Sequence, residues 1–230
     1  MTLRLYDYIL SGNCYKLRLL LSFLAVEYDA VPVDFYPGKE HKSQAFLKIN
    51  PAGTIPVLAH GDLVLTETSA MLVYIADKFD QSGRFFPKQP SALLGEVMNW
   101  LSFSNAITKT AGAARVHEML DIKTDLQAAQ TGAHQALRLL EERLSEQEFD
   151  GSPFLVGEHL TIADIACFPY VALAPDGGVM LDDYPAINRW MVTLRKLDRF
   201  IEMPGIHPIH ESPDKPLPSV QKELERADDE

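Results

Sequence analysis

The stretch Asn50-Pro51-Ala52-Gly53-Thr54-Ile55-Pro56-Val57-Leu58, followed by Leu65-Thr66-Glu67-Thr68-Ser69-Ala70, constrains this chain more than any other segment. Proline between two β-branched residues has no N–H to give a sheet ladder, so a strand beginning there has an irregular start. An Ile-Pro bond just after turn residues suits a cis peptide, which turns the adjoining backbone outward to face a ligand. The second segment places an acid and two hydroxyls ahead of a helical apolar stripe, the pattern of a helix N-terminus. A backbone edge, a carboxylate and a helix N-terminus together suit an extended peptide that carries an amine and a carboxylate at one end.

Composition narrows the function classes. The 230 residues carry 21 Lys and Arg against 32 Asp and Glu, a formal charge of −11. A field of that sign repels polyanions and argues against nucleic-acid binding. Only Cys14 and Cys167 are present, too few for a disulfide scaffold or a zinc site. No basic-then-apolar leader opens the sequence, and no apolar run approaches the ~18 residues of a membrane span. The expectation is a reduced, cytoplasmic protein with no metal and no membrane partner.

Along the chain, Leu3 to Asp7 alternates like a short strand, and Ser11-Gly12-Asn13 reads as a turn and cap. Leu17, Leu20, Leu21 and Leu24 then mark a helix face, and Tyr28 to Val33 is strand-like again, which makes a βαβ unit. A polar loop over 37–42 and a short helix near Ile49 precede Asn50. Val57-Leu58 and Leu63-Val64-Leu65 flank His60-Gly61-Asp62, a hairpin signal. Met71, Tyr74, Ile75 and Phe79 share the face of the next helix. The order βαβαββα predicts a small α/β domain built like thioredoxin over 1–80, with a linker over 81–91.

From 92 to 205 the pattern is helical throughout, and an all-α bundle domain is expected. Leu137, Leu140 and Leu144 stripe one helix; Ile187, Trp190, Met191 and Leu194 stripe another, with Pro185 in its first turn, where no N–H is needed. Pro169 should kink the helix that contains it. Thr161-Ile162-Ala163-Asp164 is a capping box with Leu160 and Ile165 as its hydrophobic staple. Four prolines and many charges over 206–230 predict an extended or mobile tail.

Residues 3 to 200 resemble the glutathione transferase superfamily. The resemblance rests on Ser11-Gly12-Asn13-Cys14-Tyr15-Lys16, Lys39-Glu40-His41-Lys42-Ser43, Asn50 to Leu58, Glu67-Thr68 and Thr161 to Asp164, all in register. His41 and its neighbours look like the plant-type phi class, while the Ser-Gly-Asn start is common in bacterial relatives; a cytosolic, serine-using enzyme of a phi- or theta-like or a bacterial class is implied. The resemblance gives glutathione as co-substrate, a hydrophobic electrophile as second substrate, and a homodimer. It assigns Ser11 to the glutathione thiol, with Asn13 in support and Cys14, near Lys16 in the first helical turn, as an alternative nucleophile. Glu67 is implied to take the γ-glutamyl ammonium and Thr68 the γ-glutamyl carboxylate. Val57, after Ile55 and the family's cis proline (here Pro56), is implied to pair with the cysteinyl backbone. His41 and Lys42 are implied to meet the glycyl carboxylate, and Thr54 stands where phi-type members often have Gln. Tyr8, Asn105, Lys109 and Arg115 are candidates for the electrophile pocket.

The chemistry asks for a thiolate at neutral pH. Lowering a thiol from ~8.5 to ~6.5 takes roughly 2.7 kcal/mol. A hydroxyl bond to the thiolate supplies about 1.5–3 kcal/mol and a helix N-terminus about 0.3–1, so the two suffice together. Read alone, Ser11 is a plain N-cap, Cys14 a buried bystander, and His41 and Lys42 loop charges. Two further readings stay open: a glutathione-dependent disulfide or peroxide reductase, and a non-catalytic glutathione-binding or assembly module.

Overall fold

The computed structural model describes residues 2–89 and 91–204. The tail expected over 206–230 lies outside the described residues. In the N-terminal part, strand β1 (Leu3–Asp7) leads through helix α1 (Gly12–Phe23) to β2 (Asp29–Pro32). A 3-10 turn (Glu40–Lys42) and short α2 (Gln44–Leu47) precede β3 (Val57–His60), β4 (Leu63–Leu65) and α3 (Thr68–Phe79). The sheet order is β2-β1-β3-β4, with β1 parallel to β2 and β3 antiparallel to both β1 and β4. This is the thioredoxin-like arrangement expected from the order of elements. Gly61, at φ 62°, makes the β3–β4 turn where a side chain would be strained. The Ile55-Pro56 bond is cis, as its sequence setting suggests, and so is Tyr36-Pro37.

The remainder is helical: α4 (Ala92–Leu120), α5 (Leu126–Phe149), α6 (Ile162–Ala172) and α7 (Pro185–Arg195). Helix α6 is buried along nearly its whole length and packs against α1, α3 and α4. Its capping box forms: the Thr161 hydroxyl accepts from Ala163 N–H at 3.2 Å, and Asp164 accepts from Thr161 N–H at 3.0 Å. Asp164 does more than cap. It is fully buried and also accepts from Leu155 N–H at 2.9 Å and Trp190 Nε1–H at 3.0 Å, which ties α7 and the preceding loop to α6.

Helix α1 departs from the amphipathic face expected of it. Every residue from Gly12 to Leu21 except Asn13 is buried, Lys16 and Arg18 included. The reason is its position: α3 lies against it within its own domain and α6 against it from the next. A helix covered on several sides buries its polar positions as well as its apolar ones.

The expected linker is also firmly held. Asp80 is buried and accepts from Ser82 N–H at 2.9 Å and Phe85 N–H at 2.8 Å. Phe85 is buried, and its carbonyl accepts Ile162 N–H at 2.9 Å, the first residue of α6. One continuous core runs from Leu5 and Leu17 through Ile75 and Phe85 to Leu140, Phe168 and Trp190.

Candidate active site

Ser11 is placed by the loop between β1 and α1, and Arg18 holds that loop. Arg18 Nη1 donates to both Asp7 carboxylate oxygens, at 2.6 and 2.7 Å, and Nη2 donates to Ile9 C=O at 2.9 Å. Ser11 N–H then closes a turn on Tyr8 C=O at 2.9 Å. At the N-cap, Ser11 Oγ accepts from Cys14 N–H at 3.2 Å. Capping uses the hydroxyl oxygen as acceptor and leaves its proton to donate, so the cap reading and the catalytic reading are compatible.

Ser11 and Asn13 stand on the wall of a cavity of about 430 Å³ between the two parts of the molecule. The sheet side of this cavity carries Tyr8, Phe35, His41, Lys42, Thr54 and Ile55. Tyr8, Phe35 and His41 form a run of rings, with centroids 5.5 and 4.2 Å apart. His41 is buried, its Nδ1 has no partner among the described residues, and burial with the nearby Lys42 and Lys39 charges lowers its pKa. It is therefore neutral at pH 7.

The loop over 50–54 is shaped by Asn50, which is buried. Its amide nitrogen donates to Thr54 C=O at 2.8 Å and Thr54 Oγ1 at 3.0 Å, while its oxygen accepts Ala52 N–H at 3.1 Å. Lys42 Nζ donates to Gly53 C=O at 2.8 Å. Gly53 sits at φ 57° with the His41 carbonyl 2.9 Å from where a Cβ would stand, so only glycine fits.

Register brings the remaining candidates to the same end of the sheet. Val57 pairs with Tyr6 of β1, but β4 stops at Leu65 opposite Leu58, so no β4 residue pairs with Val57. Glu67 follows two residues later as the N-cap of α3, where its carboxylate caps nothing and is exposed. Thr68 opens that helix, whose first-turn N–H groups favour an anion. Pro56, Val57, Glu67 and Thr68 are not among the residues that line the cavity.

From the helical side come Arg115, Val116, Leu120, Ile122 and Tyr170. Arg115 is buried, donating through Nε to Asp176 at 2.9 Å and through Nη1 to Leu10 C=O at 2.8 Å. A larger, more open depression of about 600 Å³ lies around Leu3, Val26, Tyr28 and His60, at the opposite end of β1 from Ser11.

Several expectations need correction. Cys14 is fully buried and does not line the cavity. Burial and the Asp7 carboxylate push its thiol up to about 12, against the pull of the Ser11 hydroxyl and the Tyr8 backbone. This fits the reading of Cys14 as a buried bystander and not the alternative that makes it a nucleophile. Lys16 Nζ points instead to Thr108 Oγ1, at 3.2 Å, and over the Tyr170 ring, 5.2 Å from its centroid. Asn105 and Lys109 are exposed on α4 and do not line the cavity, whereas Tyr8 and Arg115 do. Phe35, Asn50, Arg18 and Tyr170 went unnoticed as site residues. Only Asn50 carried a local signal, as an Asx residue opening a Pro-Ala-Gly turn; the others act through contacts distant in sequence.

The first 77 residues match the model for the glutathione S-transferase N-terminal domain, and residues 104–198 match its C-terminal domain. Glutathione S-transferase 2 of Anopheles gambiae is 30% identical over 190 residues, covering 80% of this chain and 86% of that one. The crystal structure of a Pseudomonas fluorescens glutathione S-transferase is 31% identical, with a TM-score of 0.78 over 92% of this chain and all of that one. A glutathione transferase homolog from Lodderomyces elongisporus, crystallised with two GSH per subunit, is 25% identical with a TM-score of 0.76, covering 86% of this chain and 95% of that one. With both domain models matched in order and relatives aligned over most of their length, this chain belongs to the glutathione S-transferase family.

Proposed function

We propose that this protein is a glutathione transferase in which Ser11 donates its hydroxyl proton to the bound glutathione thiolate. The observation that carries the reading is Ser11 on the cavity wall, its oxygen engaged in capping α1 and its proton available to a ligand. Thiolate charge there is favoured by the α1 N-terminus and by Asn13, which lines the same wall. The exposed Glu67 carboxylate suits the γ-glutamyl ammonium, and Thr68 with the first turn of α3 suits the γ-glutamyl carboxylate. Val57, unpaired on its β4 side, suits the cysteinyl backbone, with Ile55 and Pro56 setting its approach. His41, Lys42 and Thr54 line the cavity, which suits them to the glycyl carboxylate.

In the reaction the thiol loses its proton to solvent on binding. The sulfur lone pair then forms a bond to an electrophilic carbon, and the leaving group departs with the electron pair. The electrophile would enter against Tyr8, Val116, Leu120 and Ile122, a mostly apolar wall that suits a hydrophobic substrate. Among the described residues no helix is long and apolar enough to cross a membrane; membership of the family is what favours a cytoplasmic homodimer.

Titration calorimetry with glutathione, followed by a thioether-forming assay with an activated aryl halide, tests the reading. Binding at or below millimolar glutathione together with thioether product is expected. Absence of heat at millimolar glutathione overturns it.

A further inference from the structure

The Tyr170 ring occupies a slot made by two glycines on different helices. A Cβ on Gly12 of α1 would lie 2.8 Å from Tyr170 Cε1 and Cζ and 3.1 Å from Cε2. Those three atoms are the hydroxyl-bearing end of the ring, so the phenol reaches across the first turn of α1, beside Ser11. A Cβ on Gly112 of α4 would lie 3.1 Å from Cδ1 and Cε1. Glycine inside a long helix costs about 1 kcal/mol relative to alanine, and here the ring takes the space that a methyl would fill.

Tyr170 is 8% exposed, and what remains open belongs to the cavity that Ser11 and Asn13 line. The Ser11 hydroxyl and the Asn13 backbone N–H face its oxygen as hydrogen-bonding neighbours and favour its charged form. Burial outweighs them and pushes the phenol up to about 12, so it stays protonated at neutral pH and is a donor. A protonated phenol at a helix N-terminus beside a hydroxyl keeps its own proton to donate to whatever anion binds there.

We infer that Tyr170 is a second catalytic hydroxyl, donating to the glutathione thiolate from the helical domain while Ser11 donates from the thioredoxin-like domain. The inference rests on the proposed glutathione site. It makes thiol activation a property of both domains: the anion is held between a donor on the β1–α1 loop and one on α6.

Tyr170→Phe keeps the ring in its slot and removes only the hydroxyl. The thiol pKa of bound glutathione, read by ultraviolet thiolate absorbance against pH, should rise by roughly one pH unit. Turnover at pH 6.5 should fall about tenfold and recover toward the wild-type value at higher pH. Affinity for S-methylglutathione, which has no thiol proton, should stay within twofold. Ser11→Ala with Tyr170→Phe should raise the thiol pKa beyond either change alone. An unchanged thiol pKa in Tyr170→Phe overturns the inference and leaves the proposed function standing, provided that Ser11→Ala does raise it. Equal losses for glutathione and S-methylglutathione also overturn it, because packing then explains the effect. A wild type that binds no glutathione overturns the inference together with the reading beneath it.

Discussion

Ser11 and Cys14 lie one helical turn apart, and burial separates their chemistry. Ser11 reaches the cavity, whereas Cys14 is sealed behind it with its thiol held near 12. Ser11→Ala should raise the bound thiol pKa by about one to two pH units, with neutral-pH turnover falling in step. Cys14→Ala should leave turnover within twofold, and mass spectrometry should find no glutathione attached to Cys14 in the wild type. A glutathionylated, Cys14-dependent enzyme that tolerates Ser11→Ala would reverse these roles.

Lys16 is the other residue whose surroundings decide its behaviour. It is 2% exposed, bonded to Thr108 and facing Tyr170 and Cys167, and burial lowers its ammonium to about 8. Because the unfolded chain keeps that proton up to ~10.4, the unfolded state binds more protons between about 8 and 10, and Lys16 adds stability as pH rises. Cys14, Cys167, Tyr15 and Tyr170 are raised and act oppositely, removing stability above about pH 9. Cys14, Tyr15 and Tyr170 owe none of their shift to Lys16 and cancel in the comparison with Lys16→Met, whereas the Cys167 thiol, which the Lys16 charge pulls down, rises further in the variant. Lys16→Met should be the more stable near pH 7, by at most about 3 kcal/mol, with the advantage shrinking toward pH 10. Urea unfolding of both proteins at pH 7 and pH 10 measures it; a constant difference would show that the charge carries no cost.

At the scale of the element, helix N-termini carry both structure and site. The α6 terminus is internally satisfied: Asp164 takes N–H groups from Leu155, Thr161 and Trp190 in a dry setting. Asp164→Ala leaves those donors unpaired, which should cost about 2–5 kcal/mol, above the ~0.5–2 of an ordinary cap. Thermal unfolding should show the loss, while glutathione affinity of the folded fraction stays within twofold. The α3 terminus is the opposite case, with Glu67 and the first-turn N–H groups open to a ligand. Glu67→Gln should weaken glutathione by roughly 10- to 150-fold, from about 1.5–3 kcal/mol, with little change in melting temperature. If calorimetry finds equal affinities, Glu67 does not hold the ammonium.

For the whole molecule, the two domains share one core and a set of buried polar ties. Tyr15 Oη donates to Ile201 C=O at 2.6 Å, Ile162 N–H to Phe85 C=O at 2.9 Å, and Arg115 to Leu10 C=O at 2.8 Å. Neither domain could separate without exposing α1 and α6 to water. Unfolding should therefore be a single transition, with far-ultraviolet circular dichroism coinciding with the fluorescence of Trp100 and Trp190, both in the helical domain. Two resolved transitions would show the interface to be weaker than the domains it joins.

Much of this was legible in the sequence because its signals are short. A cap needs a hydroxyl and an acid three residues on, a hairpin needs a turn residue between two apolar runs, and a strand edge needs a proline. Thus Thr161 with Asp164, Gly61 between β3 and β4, and the 50–58 loop followed from neighbours within a few positions. Ser11, His41, Lys42, Thr54 and Ile55 were named because the motifs that carry them are contiguous, and the cavity gathers all five. Depth was not legible. A free thiol such as Cys14 is expected to be buried, but nothing local marks Lys16 as buried too, and only the packing of α6 across α1 sends that thiol toward 12 and that ammonium toward 8. Gly12, Gly112 and Tyr170 have no common spacing or period. They meet because three helices cross at one point, and it is that crossing which sets a second hydroxyl beside Ser11.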